Sequence, residues 1–315
     1  MRILVTDGLE AEALAKLRTD HEVDTIEADS KQLLGLIPRY EAIIVRSRAK
    51  VTAEVLRAGT RLKVVARSGI GVDNIDVKEA TARRIPVVNA PTGSTTSVAE
   101  LTIGHMLSLS RQIPEADRTM KEGKWEKKRF EGRELHGKIL GLVGSGRIGA
   151  EVAKRAIAFG MEVIAFDPYL SAPAAKERGI RLVDSLHALL MQADYVSVHA
   201  ALTVETRGMI GAKELALMKR TAYLVNCARG EIVQEGALAD ALGQGTIAGA
   251  ALDVFEKEPP TGSPILSAPA TVLTPHLGAS THEAQARAGG IVAEQVLKVL
   301  RGERPDFAVN PEVYI

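Results

Sequence analysis

The chain has 315 residues, 46% of them hydrophobic and 25% charged, with a formal net charge of +1. That length predicts about two domains and that composition an ordinary soluble core, while the near-zero charge argues against a nucleic-acid or anionic-membrane partner. A single cysteine, Cys227, excludes an intrachain disulfide and suits a reducing cytoplasm.

The opening residues, 1–7, read as a first strand and not as a signal peptide. No apolar run approaches the roughly 20 residues of a membrane span. Short β-rich runs near residues 3–6, 23–26, 42–45, 64–66 and 87–89 alternate with helical patterns such as 11–17 and 53–56. This alternation predicts parallel α/β construction. A long apolar-rich stretch, 98–109, predicts a connecting helix. The charge run 121–130 carries the only tryptophan, Trp125, and reads equally well as a solvated loop. Strands resume near 139–143, 163–166, 195–198, 222–226, 247–252 and 271–273, and 281–300 predicts a last helix. Aromatic residues make up only 3%, so the core is expected to be aliphatic. The expected architecture is a Rossmann doubly wound parallel sheet, residues 96–282, inserted into a smaller flavodoxin-like α/β domain of residues 1–95 plus 283–315. Two linking helices would form the hinge, with the active site in the cleft.

The strand at 139–143 runs into Gly144-Ser145-Gly146-Arg147-Ile148-Gly149, which opens a helical pattern, and about 20 residues on a second strand ends in Asp167. Strand, glycines, helix and acid in this order predict a dinucleotide site. Gly144 permits the tight turn, Gly146 lets the backbone approach a pyrophosphate, and Gly149 lets the helix pack on the strand. The helix N-terminus favours the anion. Asp167 can accept from the ribose hydroxyls and would repel a 2′-phosphate, so the expected cofactor is NAD and not NADP.

Three later strands end in ionisable residues, and ligands of open α/β sheets bind outside the carboxyl ends of strands. Arg229 offers a bidentate fork for a carboxylate. His276 suits proton transfer near neutrality, and Glu258 could hold one of its ring nitrogens and favour the imidazolium. Asp253 and Glu256 compete with Glu258 for the acidic role. Cys227 reads as core on the nucleotide side, and Asp253 and Cys227 are counted with the cofactor-binding set. No metal cluster is expected.

The glycine motif, Asn226-Cys227-Ala228-Arg229-Gly230, Asp253-Val254-Phe255-Glu256-Lys257-Glu258-Pro259 and Thr274-Pro275-His276-Leu277-Gly278 resemble those of the D-2-hydroxyacid dehydrogenase family. The resemblance implies that Arg229 binds a substrate carboxylate and that His276 with Glu258 runs the acid–base step. Residues 68–76 and 123–130 narrow it to members that oxidise 3-phospho-D-glycerate at the start of serine synthesis. It also implies a homodimer through the nucleotide domain, in which the Lys124–Phe130 run lends cations to the partner's cleft. Longer members carry C-terminal regulatory domains, and the end at Ile315 is expected to leave this chain without feedback through one.

A phosphorylated hydroxyacid carries about three negative charges, so its site needs several cations. Arg46, Ser47 and Lys50 follow one early strand and could cradle the phosphate. Arg67, Ser68 and Gly69 end the next, where glycines are expected to leave backbone amides for an anion. The enzymatic alternative is another family member, such as a glyoxylate/hydroxypyruvate reductase, which would lack these cations. An alternative of another class is an NAD-sensing corepressor-like binding protein.

Overall fold

The computed structural model describes residues 1–315. They form two compact units, one of residues 1–95 with 279–315 and one of residues 96–278. The α/β class expected from the sequence is what the chain adopts.

In the first unit, β1 (Arg2–Val5), β2 (Glu22–Thr25), β3 (Ala42–Val45), β4 (Val64–Arg67) and β5 (Val87–Asn89) make a five-stranded sheet in the order β2-β1-β3-β4-β5. All its pairings are parallel. β3, Ala-Ile-Ile-Val, is buried along its whole length, as a parallel strand covered on both faces must be. One face packs Leu4, Ile43, Val45 and Val65 against Leu33, Val55 and Leu56. The other packs Ile3, Val5, Ile44 and Val64 against Leu17, Val292 and Val296. Val292 and Val296 lie on the helix His282–Leu300, whose N-terminus is capped by the Thr281 hydroxyl accepting from the Ala284 amide at 3.1 Å. Residues 279–282, assigned to the inserted domain from sequence, therefore fold with this unit, because the cap goes with its helix and the helix is buried here.

In the second unit, β6 (Ile139–Val143), β7 (Glu162–Phe166), β8 (Ile180–Leu182), β9 (Tyr195–Val198), β10 (Tyr223–Asn226), β11 (Gly249–Leu252) and β12 (Thr271–Leu273) form a seven-stranded sheet. Its order is β12-β11-β10-β9-β6-β7-β8, and every pairing is parallel. Counting from β6, this is the doubly wound Rossmann order with one strand added, and its topological switch point lies between β6 and β9. The apolar core on one face joins Leu140, Leu142 and Val225 to Val98, Ile103 and Met106 of the helix Thr95–Arg111. That helix breaks at Gln112, whose φ of 52° is left-handed, and the chain continues as the helix Ile113–Lys121. No helix is long and apolar enough to cross a membrane.

Candidate active site

The second unit gathers most of the ionisable residues singled out from the sequence. β10, β11 and β12 are neighbours, and their last residues are in register, Asn226 with Leu252 and Leu252 with Leu273. The three loops that follow them thus leave the same edge of the sheet side by side. The first presents Arg229, the second Glu258 and the third His276.

His276 and Glu258 meet directly. His276 Nδ1 lies 2.8 Å from Glu258 Oε2 and 3.1 Å from Oε1. A carboxylate only accepts, so Nδ1 carries the hydrogen and Nε2 is left as the basic nitrogen of the neutral ring. Partial burial works against the Glu258 charge, yet the hydrogen bond and charge of His276, the Phe255 amide and the nearby Arg229 guanidinium outweigh it. Together they hold the carboxyl below its usual range. Glu256, a competitor for this role, is spent elsewhere: its side chain accepts from the Glu235 amide at 2.9 Å.

Asp253, counted with the expected cofactor-binding set, holds the chain's own loop. It is 1% exposed, and its carboxylate accepts from the Thr274 hydroxyl (2.6 Å) and the amides of Leu277 (2.7 Å) and Gly278 (2.8 Å). It anchors the loop that carries His276. His276 itself has φ 54°, a conformation costly for a non-glycine residue unless its surroundings enforce it. The enforcement is a hydrogen bond from the His276 amide to the Asp253 carbonyl at 2.8 Å. Cys227 is likewise buried, and burial pushes its thiol up to about 12, so its side chain is packing and not a thiolate.

Arg229 is presented by a turn that sequence reasoning missed. The buried Asn226 side chain donates to the Arg229 carbonyl (2.9 Å) and accepts from the Ala228 amide (3.0 Å). An asparagine ending a strand just before a turn is the signal that could have found it.

The glycine motif has the shape a dinucleotide needs. Gly144 has φ 86°, and a Cβ there would lie 3.0 Å from the Ala200 backbone. At Gly149 a Cβ would lie 2.6 Å from the Gly144 carbonyl oxygen, whereas space outside Gly146 is open. Gly146 and Arg147 are exposed, Ile148 is half-buried, and Gly146 begins the twelve-residue helix Arg147–Ala158 without a side-chain cap. Its free amides are therefore available to an anion. Ser145 is buried with its hydroxyl unpartnered. Asp167 directly follows β7 beside this loop and accepts from the Ser145 amide at 2.7 Å. Two supports were not visible in the sequence. Arg178 Nη1 donates to the Ser145 carbonyl at 2.8 Å, and His199 sits beneath the loop, its Cβ 3.7 Å from where a Gly149 Cβ would be.

His199 titrates abnormally. Its Nε2 pairs with the Ser197 hydroxyl at 2.8 Å, while Nδ1 is sealed from solvent without a partner. Burial alone depresses the imidazolium from 6.5 to about 4. As pH falls, the unfolded chain takes up this proton first. Stability is therefore full above about 6.5 and is lost between there and about 4, by about 3 kcal/mol at most. Denaturant unfolding at pH 7.5 and 4.5 should show a smaller acid loss in His199→Gln than in the parent. Equal losses would mean that the buried imidazole is not the cause.

In the first unit, the loops after β3 and β4 are adjacent, Val45 being in register with Arg67. The Arg46–Lys50 loop is pinned by Asp7, which accepts from the Ala49 amide (3.2 Å) and from Arg48 Nε (2.9 Å), and by Asn74, which donates to the Arg46 and Ala49 carbonyls. Arg48 also pairs with Glu27, whereas Arg46 and Lys50 carry no ion pair. Arg46 is half-buried; Ser47 and Lys50 are exposed. Of the glycine amides expected to be available here, that of Gly69 is taken, as is the neighbouring amide of Ser68. Ser68 N donates to the Val45 carbonyl and Gly69 N to the Arg67 carbonyl, both at 2.9 Å. Gly69 has φ 150°, a conformation that favours glycine, and Arg67 Nη1 donates to the Ser68 carbonyl at 3.2 Å. In the basic run of the second unit, Arg129 is tied to Glu115 and Glu126 and Lys124 to Glu122, while Trp125 stands 79% exposed.

Residues 103–278 match the family described as D-isomer specific 2-hydroxyacid dehydrogenase, NAD binding domain. A curated relative from Methanocaldococcus jannaschii, named D-3-phosphoglycerate dehydrogenase, is 50% identical over 98% of this chain. The chain spans 59% of that relative's length. A crystal structure of the TT0316 protein from Thermus thermophilus superposes with a TM-score of 0.89 at 37% identity, covering 98% of this chain and all of that one. A D-lactate dehydrogenase from Aquifex aeolicus, complexed with NAD and lactic acid, superposes at 0.85 with 30% identity and 96% coverage of both chains.

Proposed function

Because the chain belongs to the D-isomer specific 2-hydroxyacid dehydrogenase family and carries its NAD-binding domain, we propose that it oxidises 3-phospho-D-glycerate to 3-phosphohydroxypyruvate, the step that opens serine synthesis. The observation that carries the reading is the His276–Glu258 contact, 2.8 Å long, on loops adjacent to the one bearing Arg229.

NAD, when bound, supplies the hydride acceptor. The residues of this chain do the rest. The glycine-motif amides hold the pyrophosphate and Asp167 the ribose hydroxyls. Arg229 binds the substrate carboxylate with its planar fork and fixes the carbinol carbon in place. His276 Nε2 takes the C2 hydroxyl proton, and Glu258 keeps the ring in the required tautomer and stabilises the imidazolium that forms. Arg46, Lys50 and Arg67 make the first unit the phosphate-recognising, substrate-binding domain. The exposed Ile113, Met120 and Trp125 offer apolar surface for a second copy, which makes a homodimer through the NAD-binding unit part of the proposal. With its single buried cysteine, the enzyme is suited to the cytoplasm.

The test runs the reaction in reverse. NADH oxidation should be far faster with 3-phosphohydroxypyruvate than with hydroxypyruvate or glyoxylate. A preference for the unphosphorylated acids would transfer the assignment to a glyoxylate/hydroxypyruvate reductase, and no turnover with any of them to a binding protein. The cofactor choice has its own test. A like charge held about 4 Å away costs on the order of 1–4 kcal/mol, so the parent should prefer NAD over NADP by roughly 10-fold or more. Asp167→Ser should narrow that gap. Equal use of both cofactors by the parent would show that Asp167 does not select.

A further inference from the structure

The helix Thr95–Arg111 buries a histidine, His105, that is 3% exposed and takes no part in the chemistry above. It is polar on both sides. Its Nε2 lies 3.1 Å from the Thr274 hydroxyl oxygen, and its Nδ1 lies 3.6 Å from the Cys227 sulfur. Buried polar groups seldom lack a structural consequence, and here the partners fix the direction of the hydrogen bonds from His105 to Asp253.

Asp253 sets that direction, because its carboxylate can only accept. The single Thr274 hydroxyl proton is therefore donated to Asp253 Oδ1, at 2.6 Å. The Thr274 oxygen must then accept from His105, which places a hydrogen on His105 Nε2. Burial holds the His105 imidazolium below its ordinary range despite the opposing charge of Asp253, so the ring is neutral and Nδ1 is bare. Burial likewise keeps Cys227 a thiol, and its sulfur, 3.6 Å away, is placed to donate to that bare nitrogen. The chain of donors runs one way, from Cys227 through His105 and Thr274 to Asp253. Asp253 then uses its remaining capacity on the amides of Leu277 and Gly278, the two residues after His276.

We propose that His105, oriented by Cys227, is a positioning residue that fixes the Thr274–Gly278 loop through Thr274 and Asp253 and so holds His276 in its left-handed conformation. The effect on turnover rests on His276 being the proton carrier; the effect on the loop does not. Without His105 the Thr274 oxygen loses its donor, and the hold of Thr274 and the Asp253 carboxylate on the residues around His276 loosens. A misplacement of about 1 Å at a reacting group can cost on the order of 100-fold.

The experiment compares the parent with His105→Leu, which removes both ring nitrogens, and His105→Gln, whose side-chain amide can again donate to Thr274. Amide hydrogen exchange at Leu277 and Gly278 is read together with kcat, KM and the thermal midpoint. His105→Leu should expose the two amides to exchange and lower kcat roughly 10- to 100-fold, with KM for NAD unchanged. His105→Gln should recover most of both, even if its thermal midpoint stays as low as that of the leucine variant. Nitrogen-15 spectra of the parent should show a neutral His105 ring protonated at Nε2. Unchanged exchange at Leu277 and Gly278 in His105→Leu would overturn the proposal, as would a Gln variant that regains stability without regaining protection. If the parent turns over no hydroxyacid, the functional reading fails, and the exchange measurement still decides the role of His105.

Discussion

His276→Ala should lower turnover of 3-phosphoglycerate by roughly 10²- to 10⁴-fold, the range expected for removing a general base. The affinity for NAD should stay near that of the parent, because the glycine motif and Asp167 follow β6 and β7, away from the β12 loop. Calorimetric titration with NAD and steady-state rates on the same preparations separate the two effects. Near-normal turnover would mean that another group moves the proton. Glu258→Gln should cost less, because glutamine can still accept from Nδ1 and keep the ring oriented. It should also move the pH–rate profile for oxidation toward lower pH, since the carboxylate that stabilises the imidazolium is gone and the basic form of the ring persists in more acidic solution. A profile unchanged in position would show that the 2.8 Å contact is only structural.

The second large effect is expected at Arg46, which carries no ion pair although its loop is held rigidly by Asp7 and Asn74. A pinned backbone under an uncommitted cation is an arrangement suited to an anionic ligand. A hydrogen bond to a charged group contributes about 1.5–3 kcal/mol, so Arg46→Ala should reduce kcat/KM for 3-phosphoglycerate by roughly 10- to 150-fold. Turnover of D-glycerate, which has no phosphate, should hardly change. High salt should reproduce part of the loss in the parent, because Lys50 and Ser47 are exposed and screening acts on exposed charges. If Arg46→Ala lowers both substrates in equal proportion, the arginine supports the fold of its unit instead.

The strands were legible where valine and isoleucine runs are long enough to be buried on both faces, as in β3 and β4, and where a motif dictates the next element, as Gly144 to Gly149 dictate a helix. β8 was not legible. Ile180-Arg181-Leu182 is three residues at the sheet edge with only Ile180 buried, too short for any periodicity. Site residues were legible when each lay on the loop after its own strand, as Arg229, Glu258 and His276 do. They were hidden when their role depends on a partner distant in sequence. Arg178 reaches Ser145 across 33 residues, and His105 reaches Thr274 across 169. Local chemistry also misled. The Gly69 amide read as available for an anion, but a tight turn takes it, and the parallel ladder takes its neighbour Ser68 N. Asp253 read as a competing acid, and its bonds to Thr274, Leu277 and Gly278 became visible only in the fold.

That one chain combines an Arg–Glu–His set for a hydroxyacid with cations for a phosphate is tested most directly by a ratio of two rates. The ratio is kcat/KM for 3-phospho-D-glycerate over that for D-glycerate, measured with NAD in the unmodified protein. Two or more charged contacts to the phosphate predict a ratio of roughly 10² or more. A ratio near one, with both acids turned over, would contradict the combination.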